Sequence, residues 1–281
     1  MKVSEFGVIG AGSMGCGIAQ VAATAGFKTQ MFDITAAQLE RAQATIQKSL
    51  AKLEEKGKLK EKPAAILARL HATSNLKDLA KCDFVVEAAS ENRDVKFKLF
   101  KDLDALLPAH ALIATNTSSI SITQIASQTK RADKICGMHF MNPVPLMTLV
   151  EGIRGMATSD EAFAATRAVA EQMGKVFIEA KDAPGFAVNR VLMPMINEAF
   201  FALQESLATP KDLDQAMKLG CGFPMGPLEL ADFVGLDICL SVMEVLHRDL
   251  GDSKYRPAPL MRKYVEAGWL GRKNGRGVYV Y

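Results

Sequence analysis

His139 and Glu151 lie twelve positions apart in the stretch MHFMNPVPLMTLVE, residues 138 to 151. The chain has four histidines, and this one stands among apolar neighbours with a carboxylate downstream. An imidazole that titrates near neutral pH can take the hydroxyl proton of an alcohol undergoing oxidation, or return it during reduction. A carboxylate on the second ring nitrogen would fix the tautomer and stabilise the imidazolium. The pairing requires the Pro143–Pro145 segment to turn the chain back. Without that turn, His139 is an ordinary core histidine. His71 and His110 have no motif around them, and His247 reads as surface or structural.

A histidine that moves a proton needs a partner that moves electrons, and the N-terminus offers a place for one. FGVIGAGSMGCGIAQVAATAGFKTQMFD reads as strand, glycine turn, helix, strand. Val3 to Ile9 is short, apolar and β-branched, as a buried parallel strand should be. Gly10, Gly12 and Gly15, with Ser13 and Met14 between the last two, spell G-x-G-x-x-G. Gly10 permits the tight turn, Gly12 lets backbone approach a pyrophosphate, and Gly15 lets the helix pack near the strand. The helix N-terminus presents N–H groups and positive dipole to phosphate. Gly26 is the expected helix stop. A second strand, Thr29 to Phe32, leads to Asp33, 18 residues after Gly15 (33 − 15). That is the spacing of the acid that bonds a ribose diol. Its charge repels a 2′-phosphate, so NAD(H) is favoured over NADP(H), although Lys28 nearby in sequence leaves NADP tolerance open. Cys16, in the first helical turn, could have a lowered pKa, but reads better as a packing residue.

The elements that follow bring further side chains to the same place. Phe84 to Ala88 reads as a strand and Val95 to Leu107 as a helix, with Glu91, Asn92 and Lys96 near the strand's C-terminal end, where doubly wound sheets bind ligands. ALIATNTSSISITQIA is a strand, a polar run Asn116-Thr117-Ser118-Ser119, and a helix. Capping accounts for one or two polar residues there, not four. DKICGMHFMNP is another strand, ending at His139. Ser118, Glu91 and His139 should therefore share one rim of the sheet. Between the first strands, residues 36 to 70 form a basic helical hairpin, broken by Gly57 and Pro63. Lys48, Lys52, Lys56 and Lys60 share a helix face if the helix runs that far. The plain reading is a solvated face; the functional one is an anchor for a phosphate-bearing substrate.

After KDAPGF the strands cease. The fold class is α/β: an N-terminal Rossmann-type doubly wound sheet over residues 1–184, then a smaller all-α C-terminal domain over 185–281. In that second domain Pro194 should kink a helix or start a segment, Thr209 and Pro210 open another, and a helix pair divides near Gly235. Met193, Met195, Phe200, Phe201, Leu228, Leu230, Phe233 and Val234 are a surplus of apolar residues, part of which should face another subunit. The tail AGWLGRKNGRGVYVY should dock on its own domain.

Composition narrows the class. Hydrophobic residues make up 49% and charged residues 23%, ordinary for a globular protein. A net charge of +3 and little aromatic interleaving disfavour nucleic acid. Five scattered cysteines without a C-x-x-C pair indicate neither disulfides nor a metal site, and suit a reducing cytoplasm. No signal peptide or membrane-length apolar run is evident.

GAGSMGCGIAQ, EAASEN, NTSSISI, HFMNPVPLMTLVE, PGFAVNRVLMPMINEA and GRKNGRGVYVY together resemble the L-3-hydroxyacyl-CoA dehydrogenase family, nearest in pattern to its bacterial 3-hydroxybutyryl-CoA branch. The likeness runs nearly end to end. It implies an NAD-dependent dehydrogenase of short-chain (S)-3-hydroxyacyl-CoA thioesters, with His139 and Glu151 as its acid–base pair. It implies that Ser118 and Asn189 hold the substrate oxygens, that Asn142 lies beside the nicotinamide, and that Asp33, Glu91, Lys96 and Lys273 are further cofactor contacts, along with the glycine turn and Asn116. Ser49 and Lys56 match positions that touch coenzyme A. A homodimer through the helical domain is also implied. Two other readings stand beside it: a dehydrogenase of a related β-hydroxyacid or sugar acid, and a non-catalytic NAD(H)-binding protein. The intact set His139, Glu151, Ser118 and Asn189 argues against the second.

Overall fold

The computed structural model describes residues 3–281; Met1 and Lys2, the start of the N-terminal stretch read above, lie outside it. The chain divides into two compact units, one ending at Asp182 and the other spanning Ala183–Tyr281.

The first unit is an eight-stranded sheet. Its elements are β1 (Glu5–Ile9), α1 (Ser13–Thr24), β2 (Lys28–Phe32), α2 (Ala36–Glu55), α3 (Pro63–Leu67), β3 (Leu70–Thr73), β4 (Phe84–Glu87), α4 (Arg93–Leu106), β5 (Leu112–Thr115), α5 (Ile122–Ala126), β6 (Ile135–Phe140), β7 (Leu149–Arg154), α6 (Asp160–Gln172) and β8 (Val176–Lys181). The strand order is β3-β2-β1-β4-β5-β6-β7-β8. Strand order reverses between β1 and β4, the switch point where doubly wound sheets bind ligands. Every neighbouring pair is parallel except β6 and β7. The inner strands are continuous apolar runs because both faces are covered: Phe6, Val8, Phe84, Val86, Leu112 and Ala114 are all buried in one core with α1 residues Ile18, Ala19 and Ala22.

Two strands carry no clear sequence signal. β3 has four residues and follows the hairpin directly. β7 is TLVEGIR in outline, with Gly152 inside it; a Cβ there would lie 1.8 Å from the Phe177 ring. The close approach of that ring explains the glycine.

The basic hairpin departs from the expected geometry. α2 stops at Glu55, Lys56 is its C-cap and Gly57 has φ +64°. Lys60 therefore lies beyond the helix and does not share the face of Lys48, Lys52 and Lys56.

The second unit contains α7 (Val188–Gln204), α8 (Pro210–Cys221), α9 (Pro227–Val234), α10 (Leu236–Leu250) and α11 (Pro259–Glu266). α7 runs through Pro194 as one helix. Thr209 caps α8 by accepting from the Asp212 N–H at 3.2 Å, and Gly235, with φ +106°, divides α9 from α10. Met193, Phe200 and Leu228 belong to this unit's own core, with Met195, Phe201, Leu230 and Val234 packed against it. The expected surplus is thus mostly internal; of it Phe233 is exposed, and other exposed large apolar residues of this unit include Val191, Leu207, Leu219 and Ile238. The C-terminal tail docks through two buried aspartates. Asp232 accepts from the Val278 and Tyr279 N–H groups, each at 2.9 Å, and Asp214 accepts from the Tyr279 hydroxyl at 2.7 Å. Among the described residues, no helix is long and apolar enough to cross a membrane.

Candidate active site

β6 and β7 run antiparallel, and their register puts His139 directly opposite Glu151. The segment between them, residues 140–150, is the hairpin that makes this pairing possible. His139 Nδ1 lies 2.7 Å from a Glu151 carboxylate oxygen, and both side chains are buried. A carboxylate only accepts hydrogen bonds, so Nδ1 carries the proton and donates it. Nε2 then presents its lone pair. Ser118 Oγ is 2.9 Å from Nε2 and donates to it. Glu151, His139 and Ser118 form one hydrogen-bonded chain from the interior of the sheet to its rim.

The rim is built from two loops that lock each other. Glu91 accepts from the Thr117 hydroxyl at 2.7 Å and from the Ser118 backbone N–H at 2.6 Å. The β5–α5 loop is thereby held by the β4–α4 loop, and the shared rim expected for Ser118, Glu91 and His139 is present. Asn116 uses its side-chain oxygen to accept from the Phe140 N–H at 2.8 Å, joining this loop to the end of β6. None of the four polar residues 116–119 caps α5. Ser121 does so, together with Asp182, whose carboxylate accepts from the Ile122 and Thr123 N–H groups at 2.9 and 2.8 Å.

Lys96 is placed differently from its expected role as a cofactor contact. It is 2% exposed, and its ammonium is ion-paired with Glu87 and lies 3.4 Å from the Thr115 hydroxyl. Glu87 sits at the C-terminal end of β4 and also accepts from the Ala89 N–H at 2.9 Å and the Thr115 hydroxyl at 2.7 Å. A buried carboxylate is tolerated only when paired and hydrogen-bonded, and Lys96 supplies the countercharge. The result is a rigid start to the loop that aims Glu91. Glu87 and Thr115 have no local sequence signal; only their shared burial reveals them.

The glycine turn lies at the switch point. Gly10 has φ +94°, and a Cβ there would come within 2.6 Å of the Ala88 carbonyl oxygen. A Cβ on Gly15 would lie 1.8 Å from the Gly10 carbonyl oxygen. Gly12 is different: a Cβ there meets nothing within 4 Å, so its backbone faces open space. The first turn of α1 has no side-chain cap and no acidic residue. An uncapped helix N-terminus behind an open glycine fits a pyrophosphate. Asp33 follows β2 and reaches the same turn, accepting from the Ala11 N–H at 2.8 Å and the Thr35 N–H at 2.9 Å. Two N–H donors orient it beside the turn, where a ribose diol would lie. Lys28 does not reach this position. It begins β2, about five residues or roughly 16 Å of strand away, and pairs with Glu5 at 3.2 Å. Burial raises the Cys16 thiol pKa, which makes this residue a packing group rather than a reactive one.

Asn142 follows β6, with its side-chain oxygen 3.4 Å from the Ser13 hydroxyl. Both line a cavity of about 290 Å³ that continues along Ser49, Lys52, Lys56 and Lys58 and is closed by Pro143 to Leu146. The cavity joins the glycine turn to the basic hairpin. Ser49 and Lys56 both line it, together with Lys52 and Lys58. Asn189 and Lys273 lie in the second unit. Asn189 is in the first turn of α7, and the Lys273 ammonium bonds both oxygens of Asp237 at 2.5 and 2.6 Å. Among the described residues, no cluster of His, Cys, Asp and Glu could hold a metal ion.

The chain matches two family profiles. Residues 5–183 match the NAD binding domain of 3-hydroxyacyl-CoA dehydrogenase, and residues 185–281 match its C-terminal domain. It is 52% identical to a probable 3-hydroxybutyryl-CoA dehydrogenase of Bacillus subtilis, over 100% of this chain and 98% of that one. It is likewise 52% identical to a 3-hydroxybutyryl-CoA dehydrogenase of Bradyrhizobium diazoefficiens, covering 99% of this chain and 96% of its relative. Among solved structures, the (S)-3-hydroxybutyryl-CoA dehydrogenase of Ralstonia eutropha superposes with a TM-score of 0.96 at 53% identity, covering 100% of this chain and 99% of the other.

Proposed function

The chain belongs to the 3-hydroxyacyl-CoA dehydrogenase family, and from that premise we propose that it interconverts acetoacetyl-CoA and (S)-3-hydroxybutyryl-CoA with NAD(H). The observation that carries the reading is the Glu151–His139–Ser118 chain ending at the same sheet rim as the glycine turn. When bound, the reduced nicotinamide supplies the hydride that C3 of the acyl group receives. The protein's own part is the proton. In reduction, His139 donates from Nε2 to the oxygen developing on C3, and Glu151 stabilises the imidazolium until that transfer. In oxidation the Nε2 lone pair takes the hydroxyl proton. Ser118, at hydrogen-bond distance from the same nitrogen, shares the substrate oxygen and stabilises its charge. Glu91 and Asn116 keep Ser118 in place, and Lys96 does so at one remove through Glu87. Asp33 selects the unphosphorylated ribose. For Asn189 as a substrate contact and Lys273 as a cofactor contact, the support is the sequence match.

The thioester's nucleotide tail is proposed to lie in the cavity lined by Ser49, Lys52, Lys56 and Lys58. Ammonium groups on one wall suit its phosphates, and Val144 to Leu146 suit the pantetheine arm. Lys56→Glu is expected to raise KM for acetoacetyl-CoA about tenfold, a cost of ~1.4 kcal/mol, with kcat little changed; an unchanged KM would leave the hairpin a solvated face. A homodimer is proposed through the helical unit, whose Val191, Leu207 and Leu219 are exposed. Cysteines without disulfide partners fit residence in the cytoplasm.

The deciding assay is the initial rate of nicotinamide absorbance change with acetoacetyl-CoA, using NADH and NADPH in parallel and free acetoacetate as control. Fast oxidation of NADH with the thioester alone is expected. Activity with the free acid would move the assignment to hydroxyacid dehydrogenases, and inactivity with every pair to a binding protein.

A further inference from the structure

Lys175 precedes β8 and is 8% exposed. Its ammonium donates to the carbonyl oxygens of Val144 at 2.5 Å and Met147 at 2.7 Å. Both acceptors belong to the segment that leaves His139's strand at Asn142 and returns as Glu151's strand. The same segment closes the cavity proposed for the thioester's tail, through Pro143, Val144, Pro145 and Leu146. Its remaining bonds are few. The Leu146 and Met147 N–H groups both donate to the Pro143 carbonyl at 3.0 Å, and the Val176 N–H donates to the Thr148 carbonyl at 2.8 Å. On its other side Val144 presses on α1, where a Cβ on Gly17 would lie 2.7 Å from the Val144 Cβ.

We propose that Lys175 is a positioning residue for substrate binding: its ammonium clamps the 142–148 segment in the shape that closes the thioester cavity. Resting on the dehydrogenase reading above, this adds a residue remote from the reacting atoms. A buried ammonium is unfavourable unless its hydrogens find acceptors, and an apolar residue of equal length would avoid that desolvation. Burial, with no carboxylate contributing, lowers the Lys175 pKa. What the ammonium provides is a tie between two carbonyls that no neighbouring strand reaches. Val144 is thereby held from both sides, by Lys175 on its carbonyl and by α1 on its side chain. α1 at Gly17, the segment after His139's strand and the cavity wall then move as one body.

Lys175→Met keeps length and apolar bulk while removing the donors; Lys175→Arg keeps the donors. In the full-length protein, hydrogen exchange should report faster exchange at the Leu146 and Met147 amides of Lys175→Met, by about tenfold, with β8 amides unchanged. KM for acetoacetyl-CoA should rise about fivefold or more, while KM for NADH stays within about twofold and kcat within about threefold. Lys175→Arg should recover much of the thioester KM, and the melting temperature of Lys175→Met should not fall. Unchanged exchange at Leu146 and Met147 overturns the proposal, as does an unchanged thioester KM. A uniform loss in kcat and both KM values with a lowered melting temperature, not relieved by arginine, also overturns it, making Lys175 a core residue only. If the wild-type chain does not reduce acetoacetyl-CoA, the dehydrogenase reading fails, while the exchange arm still tests the tie.

Discussion

His139→Gln should lower kcat for acetoacetyl-CoA reduction by about 10³-fold, within the 10²–10⁴ range for loss of a positioned general acid. Glutamine retains a hydrogen-bonding amide and comparable volume at a buried site, and its amide N–H can still donate to Glu151. It cannot bind and release a proton near neutral pH. The loss should therefore fall on turnover. KM for NADH should change little, because the glycine turn between β1 and α1 and Asp33 after β2 belong to other strands than the β6–β7 pair. Steady-state kinetics at saturating substrate, with a melting curve to confirm folding, would check this. Near wild-type turnover would remove His139 from the proton path and leave the dehydrogenase without an identified acid.

Glu151→Gln should cost nearly as much, on the order of 10²–10⁴-fold in kcat, as expected when the carboxylate orienting a catalytic imidazole is replaced by an amide. The carboxylate at 2.7 Å from Nδ1 accepts a hydrogen bond. A glutamine can turn its NH2 to the ring instead, so that Nδ1 accepts and the proton moves to Nε2. His139 would then donate to Ser118 rather than accept from it. The imidazolium would also lose its countercharge inside the sheet. Because Glu151 acts only through His139, the double variant His139→Gln/Glu151→Gln should be little worse than the poorer single variant. Multiplicative losses would mean that Glu151 has a separate role.

The cofactor half of the site was readable from the chain because its constraints are local. Gly10 needs a positive φ, Gly15 needs the absence of a Cβ beside the Gly10 carbonyl, and Asp33 follows at the length of one helix and one strand. The family likeness was similarly plain, since its motifs keep order and spacing along the whole chain. The catalytic pair was only half readable. His139 and Glu151 were visible as residue types, but β7 was not visible as a strand, and their contact exists only because β7 runs back against β6 in that register.

The β1–α1–β2 phosphate-binding unit, the change to an all-helical second unit and the preference for NAD are legible in the chain, because steric limits on glycine, element periodicity and one carboxylate's charge act over short stretches. Which charges are buried and what they face follows only from the packed fold. Lys96, which the resemblance implied as a cofactor contact, lies beneath the rim against Glu87; Lys60 looked like part of a helix face and lies beyond the helix end; Lys175 gave no signal and braces the segment between the two catalytic strands. An ammonium's surroundings depend on elements distant in sequence, and the partner that makes its burial tolerable is set by how those elements pack.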